Sequence, residues 1–322
     1  MNEPMLERVC FRGDWQAAPA PSGPIVRIPE RDTRTMDLAI VGAGRVGTSL
    51  AVLWQRAGHR IVAVAGGPAT PERAARFLPG VRVADAVEAA TGAEIVVIAT
   101  PDAVIAAVCR EMAKAGALGS TSAVVHASGA TGLDALGAAA SVGATTLSVH
   151  PLQTCPTVEA AVGAIPGASF AVTALDEEGH ALGERLARDA GGYPFRIADE
   201  RKPLYHAAAV FASNYVVTVT ALAEELERVA GVPDPVAALT PLQDATLANV
   251  HRVGAAAALT GPAVRGDAIT LQRNLEALAE HVPDAVRPYV TLADLALALA
   301  ERSGRVPPRG REAVEEVLVR WR

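Results

Sequence analysis

From Met36 onward, short apolar runs alternate with stretches in which apolar residues recur every three to four positions. The runs are Leu38 to Val41, Ile61 to Ala65, Glu94 to Ala99, Ala123 to His126 and Thr145 to Val149. The helical stretches among them include Ser49 to Ala57, Glu72 to Phe77 and Ala103 to Ala113. Runs of this kind, short and rich in β-branched residues, suit strands, and their alternation with helices implies a parallel sheet covered on both sides. A strand at Ser169 to Thr173, a helix from about Glu177 to Ala190 and a strand at Tyr193 to Ile197 extend that sheet. Beyond Glu200 no strand pattern remains. Pro203 suits a first helical turn, and apolar periodicity runs from there to Val229, where Ala230, Gly231 and Pro233 stop it. Further helices follow at Val236 to Val250, Ala268 to Glu280, Pro288 to Arg302 and Arg311 to Trp321. The expected plan is therefore a doubly wound α/β sheet over residues 36–199 and a mostly α-helical substrate and dimerisation domain over residues 200–322.

Half of the residues are hydrophobic, which raises the question of a membrane span. The longest candidate, Ala207 to Ala223, is interrupted by Ser213, Asn214, Tyr215, Thr218 and Thr220. It reads as a buried helix rather than a span of ~20 apolar residues. Residues 1–35 carry charge and the prolines Pro19, Pro21 and Pro24 without an apolar core like that of a signal peptide, and read as a flexible extension outside the fold. Cys10, Cys109 and Cys155 lie far apart without metal-ligand spacing, so no metal site or disulfide framework is expected, and a cytoplasmic location fits. A net charge of −6 with no basic block, and 4% aromatic residues, exclude an evident nucleic-acid surface. The expected partner is a small molecule, with neither nucleic acid nor membrane.

The strand Leu38 to Val41 runs into Gly42-Ala43-Gly44-Arg45-Val46-Gly47 and then into a helix. This order of strand, GxGxxG loop and helix is the dinucleotide-binding fingerprint of a Rossmann sheet. Gly42 permits the tight turn, Gly44 leaves room for a pyrophosphate, Gly47 lets helix and strand pack, and the helix N-terminus attracts the phosphate charge. After the second strand stands Gly66-Gly67-Pro68-Ala69-Thr70, where NAD-preferring sites place an acid for the ribose hydroxyls. With no acid there, and with Arg45, Arg73 and Arg76 nearby, NADP(H) is the expected cofactor and NAD(H) the other candidate. The strand ends at Thr100-Pro101-Asp102 and at His126-Ala127-Ser128-Gly129 should border the crevice, with Thr100, Pro101 and Ser128 lining it. Val46 and Gly66 complete the expected cofactor set, and Asp102 is equally read as a helix cap.

Several further segments carry a resemblance. They are Val125-His126-Ala127-Ser128-Gly129, Ser148-Val149-His150-Pro151-Leu152-Gln153-Thr154, Lys202-Pro203-Leu204-Tyr205-His206, Ser213-Asn214-Tyr215 and Ala258 to Asp267. Over Met36 to about Arg302 the chain resembles the oxidoreductase family that joins a Rossmann-like domain to a C-terminal domain of unknown function 2520. That family is similar in plan to ketopantoate reductases, pyrroline-carboxylate reductases, prephenate dehydrogenases and 6-phosphogluconate dehydrogenase-type enzymes. The resemblance implies a helical second domain of the 6-phosphogluconate dehydrogenase kind, a homodimer through that domain, a nicotinamide cofactor and hydride chemistry. It also makes a ketopantoate-like 2-oxo acid the first expected substrate.

Hydride transfer to a carbonyl or imine needs a proton donor and orienting groups. On one continuous helix at about 100° per residue, Lys202, His206 and Ser213 fall within roughly 40° of one line and Asn214 stands about 80° from His206. His206 is the expected proton donor, Asn214 the orienting group and Lys202 a further catalytic candidate that is equally read as solvated at the helix entrance. In the related reductases a Lys and an Asn do this work at i, i+4, whereas here the two are twelve residues apart. His150 sits at a strand terminus before Pro151, as in prephenate dehydrogenases, and is the second proton-transfer candidate. Ser213, Gln153 and Arg265 are the expected substrate contacts. Arg265 suits bidentate capture of a carboxylate, or else pairs with Asp267 as a helix cap. Two alternatives stay open: an imine or pyrroline-carboxylate reductase or prephenate-type dehydrogenase, and an NADP(H)-binding sensor or scaffold without turnover.

Overall fold

The computed structural model describes residues 34–322. Apart from Arg34 and Thr35, both exposed, the expected N-terminal extension lies outside the described residues, as does Cys10. The chain divides into two compact units, one ending at Val216 and one running from Val217 to Arg322.

The first unit is an eight-stranded sheet in the order β3-β2-β1-β4-β5-β6-β7-β8. Its strands are β1 (Asp37–Val41), β2 (Arg60–Ala65), β3 (Arg82–Val83), β4 (Ile95–Ile98), β5 (Ala123–His126), β6 (Thr145–Pro151), β7 (Ser169–Ala174) and β8 (Tyr193–Arg196). Its helices are α1 (Arg45–Arg56), α2 (Thr70–Phe77), α3 (Ala86–Ala90), α4 (Asp102–Lys114), α5 (Gly137–Ser141), α6 (Val158–Ala164), α7 (Glu177–Asp189) and α8 (Lys202–Ala212). The doubly wound sheet is as expected, and its two faces carry separate cores. One packs Leu38, Leu50, Trp54, Phe170 and Leu186; the other packs Val96, Ile105, Met112 and Leu136. Trp54 is fully buried, and its indole N–H donates to the Leu186 carbonyl at 2.8 Å. That bond removes the cost of enclosing a polar atom in an apolar core.

Six strands, β1 to β6, run parallel, but β7 runs antiparallel to β6 and β8 pairs parallel with β7, so the last two strands run opposite to the other six. Strand and helix alternation does not encode this reversal, because the connection holds a helix, α6, like every crossover. Here α6 stays at the carboxyl end of the sheet, where the Ser49 hydroxyl reaches the Val158 carbonyl at 3.4 Å. The chain therefore re-enters from the end at which β6 left, and Leu152 N–H bonds Ser169 O at 2.8 Å.

The second unit is helical: α9 (Asn214–Val229, whose first turn lies in the sheet unit), α10 (Pro235–Val253), α11 (Ala255–Ala258), α12 (Pro262–Arg265), α13 (Ala268–His281), α14 (Val286–Arg302) and α15 (Pro308–Trp321). Its core joins α13, α14 and α15 through Leu271, Leu275, Leu297, Val314 and Leu318. Two expectations for residues 203–229 are corrected. The helix is not continuous, because Ser213 leaves helical geometry (φ −127°, ψ −70°) between α8 and α9. Nor is the stretch buried: Phe211 is 64% and Val217 67% exposed, and α9 has no buried residue. By length and composition alone, residues 199–229 are long and apolar enough to cross a membrane.

Candidate functional site

The carboxyl ends of β1 and β4 lie side by side at the point where strand order reverses, which is where open α/β sheets bind ligands. Gly42 has φ +102°, and a Cβ there would stand 2.5 Å from the Ala99 carbonyl carbon and the Thr100 nitrogen, so the loop tolerates only glycine. A Cβ on Gly47 would stand 2.4 Å from the Gly42 oxygen. Gly44 differs. It has an ordinary φ of −79°, and the nearest atom to an added Cβ is the Gly42 oxygen at 4.0 Å. Neither the backbone nor the protein around it requires glycine, and the missing side chain leaves open space above the loop. No side chain caps the N-terminus of α1, which leaves its first-turn N–H groups at Arg45, Val46 and Gly47 facing the loop. The buried Thr100 hydroxyl has no partner among the described residues. An uncapped helix start, an open glycine and an unpartnered hydroxyl at the switch point fit a dinucleotide diphosphate.

The arginines differ in what they already bind. Arg45 donates to the Pro156 carbonyl at 3.3 Å, Arg76 pairs with Glu159, and Arg73 reaches across from α2 to the Ala43 carbonyl at 2.7 Å. Only Arg73 is tethered to the glycine loop itself. Gly66 packs against Thr70, whose Oγ1 would stand 2.5 Å from an added Cβ. Pro101, exposed, leads into α4.

A polar cluster lies where β5 and β6 end and α8 begins. Lys202 is fully buried, and its ammonium donates to the Ser128 carbonyl at 3.0 Å and the Ser148 hydroxyl at 2.7 Å. It is not the solvated residue that its place at a helix entrance suggests. Its partners lie 74 and 54 residues away in sequence, so nothing local marks the burial. Burial lowers Lys202 to about 8, against the pull of Asp199 and Asp102, so it stays protonated at neutral pH. The Ser128 hydroxyl is occupied by Asp102 of α4 at 2.8 Å and, within its own turn, by Thr131 at 3.0 Å and the Ala130 and Thr131 N–H groups. Asp102 thus anchors this turn through its side chain, a tie that a helix-cap reading leaves out. His126, buried beneath, accepts the Ser128 N–H at 3.2 Å and is lowered to about 3, by burial first and then by Lys202.

His150 bonds the Tyr205 hydroxyl at 2.9 Å and meets His206 edge-on, with ring centroids 6.2 Å apart. Burial, then the charge of Lys202, hold His150 at about 4, so its imidazole is neutral at physiological pH. Nδ1 of His206 is buried without a partner among the described residues. The structure therefore brings Lys202, His206 and His150 into one cluster. Ser213 marks the helix break, and Asn214 is exposed at the start of α9. Gln153 spends its amide on the Ala164 carbonyl and the Thr154 N–H. Arg265, in the helical unit, stands 4.0 Å from Asp267, which caps α13 through Thr270. The contributions of Ser148, His126 and Tyr205 were missed from sequence. A parity signal existed for one of them, since Ser148 and His150 lie two apart on β6 and share a face.

Family models match the chain in two pieces: a Rossmann-like domain over residues 25–151 and the domain of unknown function DUF2520 over residues 168–296. The chain joins a Rossmann-like domain to a DUF2520 domain. This pairing agrees with the plan inferred from its motifs. Among solved structures, the Rossmann-DUF2520 chain is similar to a Bacteroides fragilis protein whose name carries an NADP oxidoreductase assignment, at 24% identity and TM-score 0.71 over 82% of this chain and 99% of that one. It is similar to a Thermotoga maritima protein at 23% identity and TM-score 0.63, over 83% and 100%. A reductive aminase from Aspergillus terreus, in complex with NADPH and ethyl levulinate, matches at 18% identity and TM-score 0.60, over 88% and 99%. At these identities the likeness establishes the fold. No curated protein matches the chain.

Proposed function

We propose that this protein is an NAD(P)H-dependent reductase of small carbonyl compounds, with a ketopantoate-like 2-oxo acid as the first substrate class and NADPH as the preferred donor. One observation carries the reading: an uncapped α1 N-terminus beside an open Gly44 and an unpartnered Thr100, with a histidine cluster at the ends of β5 and β6 of the same sheet. The first-turn N–H groups of α1 would hold the diphosphate. A nicotinamide bound in this crevice supplies the hydride. The absence of an acid after β2 and the placement of Arg73 support a 2′-phosphate there. Because Lys202 is enclosed, its role is to hold the Ser128 turn and Ser148 rather than to touch substrate. His206 gives the proton, and neutral His150 donates a hydrogen bond to the oxygen that gains negative charge. A neutral donor suits a carbonyl oxygen better than an imine nitrogen that becomes cationic on protonation, which favours the oxo acid over the imine.

The exposed apolar faces of α9 and α10 support a homodimer through the helical unit. Of these two helices only Leu239 is buried, and helices so exposed are not stable alone. A bilayer is disfavoured as the cover, because Glu224, Glu225, Glu227 and Arg228 end α9.

Gly44→Val tests the cofactor site. Its φ suits valine, so thermal melting should stay near wild type while NADPH binding is lost; retained affinity would refute the crevice. An NADPH-consumption assay across 2-oxo acids and cyclic imines tests the chemistry. Binding without turnover on any of them would favour the sensor reading.

A further inference from the structure

His150 and Tyr205 form a pair that hydride transfer alone does not require. The Tyr205 hydroxyl lies 2.9 Å from Nδ1 of His150, with the rings edge to face at 5.6 Å. Tyr205 has no other hydrogen bond among the described residues, and burial pushes its phenol up to about 12, so it keeps its single proton across the working range. If the phenol accepted from Nδ1–H, its own proton would be left without an acceptor in a half-buried place. Donation to Nδ1 satisfies both groups and puts the imidazole proton on Nε2. Among the described residues that nitrogen bonds no protein atom, and it is not enclosed.

Gly129 fixes the ring from one face. A Cβ there would stand 2.8 Å from Cε1 and Nε2 of His150 and 3.0 Å from Nδ1. Gly129 is not among the glycines with positive φ, so the imidazole rather than the backbone demands its missing side chain. His206 approaches the ring edge-on. The tautomer and the ring plane are thus both set by neighbours.

We propose that Tyr205 is a positioning residue that holds His150 as its Nε2–H tautomer, so that the end of β6 presents a neutral N–H donor to a substrate oxygen. Only the identity of that oxygen rests on the reductase reading; the tautomer belongs to the protein alone. The titratable and charged groups that face His150 are Tyr205, His206 and Lys202 from α8, His126 from β5 and Asp102 from α4. Burial opposes a second proton most, Lys202 and His206 add to it, and Asp102 pulls the other way.

The test is nitrogen-15 NMR of the full chain labelled at its seven histidines, without cofactor, with His150 assigned by loss of its signals in His150→Gln. The expected pattern at pH 7.5 is a pyridine-like Nδ1 and a protonated Nε2, unchanged down to pH 5.5. Tyr205→Phe should move both nitrogens toward a two-tautomer average, and should lower kcat about tenfold with KM for NADPH unchanged. A wild-type Nδ1–H pattern, a doubly protonated ring at pH 6, or an unaltered tautomer in Tyr205→Phe would overturn the assignment. If Tyr205→Phe does not fold, the wild-type spectrum alone decides, and Gly129→Ala should shift the His150 signals with Tyr205 in place. Failure of NADPH binding would remove the reductase reading and leave this result standing.

Discussion

The two units of this chain spend their apolar residues in opposite ways. In the sheet unit both faces are closed by the chain's own helices, and buried polar side chains such as Lys202 and Ser148 have partners at named distances. In the helical unit only α13 to α15 share a core, while Val236, Leu242 and Leu247 of α10 stand 57%, 63% and 47% exposed. The difference teaches that one unit closes its own cores, while the other leaves apolar helix faces open, which the proposed second copy would cover. A crevice that must bind the same cofactor every time needs the first kind. A surface of the kind proposed to recruit a second copy needs the second.

The sharpest way to break this comparison is to open the core of the sheet unit. Trp54→Ala should cost about 3–5 kcal/mol in urea denaturation, from lost burial and the cavity left behind. A cost no greater than that of an exposed residue would contradict the closure described. Acid comes next. His126 and His150 sit at about 3 and about 4 against an ordinary 6.5, so the unfolded chain binds more protons below pH 6.5. Stability should fall as pH drops from 6.5 to about 4, by up to ~3 kcal/mol for each imidazole. The two histidines of the helical unit, His251 and His281, are exposed, so near-UV and hydrogen-exchange probes should report the sheet unit losing structure first. Equal loss in both units would count against the contrast.

The helical side of the comparison is sharpened by Leu242→Asp. It should raise the dimer dissociation constant about tenfold or more in analytical ultracentrifugation and leave the circular dichroism of the sheet unit unchanged. A wild-type sedimentation profile would remove α10 from the interface. The smallest effect expected is that of Arg73→Ala, a loss of about tenfold in NADPH affinity with NADH affinity unaltered, equivalent to ~1.4 kcal/mol. Arg76→Ala, whose guanidinium is already paired with Glu159, should change neither.

Much of the sheet unit was legible because its information is local. Strand, glycine loop and helix follow one another within some twenty residues, and doubly buried strands read as unbroken apolar runs. What stayed hidden depends on distant partners or on direction. The reversal of β7 comes from where α6 docks on α1, not from any residue of β7. Lys202 looks like a solvated helix entrance until Ser128 and Ser148 arrive from two other strand ends. The break at Ser213 is masked by alanine and valine on both sides, which keep the helical period through it. Arg265 beside Asp267 shows the reverse case, in which a charged pair two residues apart was readable as a helix cap from the start.

Isothermal titration calorimetry of the full chain with NADPH and with NADH tests the cofactor crevice most directly. The account predicts a saturable heat with NADPH at one site per chain, weaker with NADH and absent in Gly44→Val. No heat with either nucleotide would contradict it.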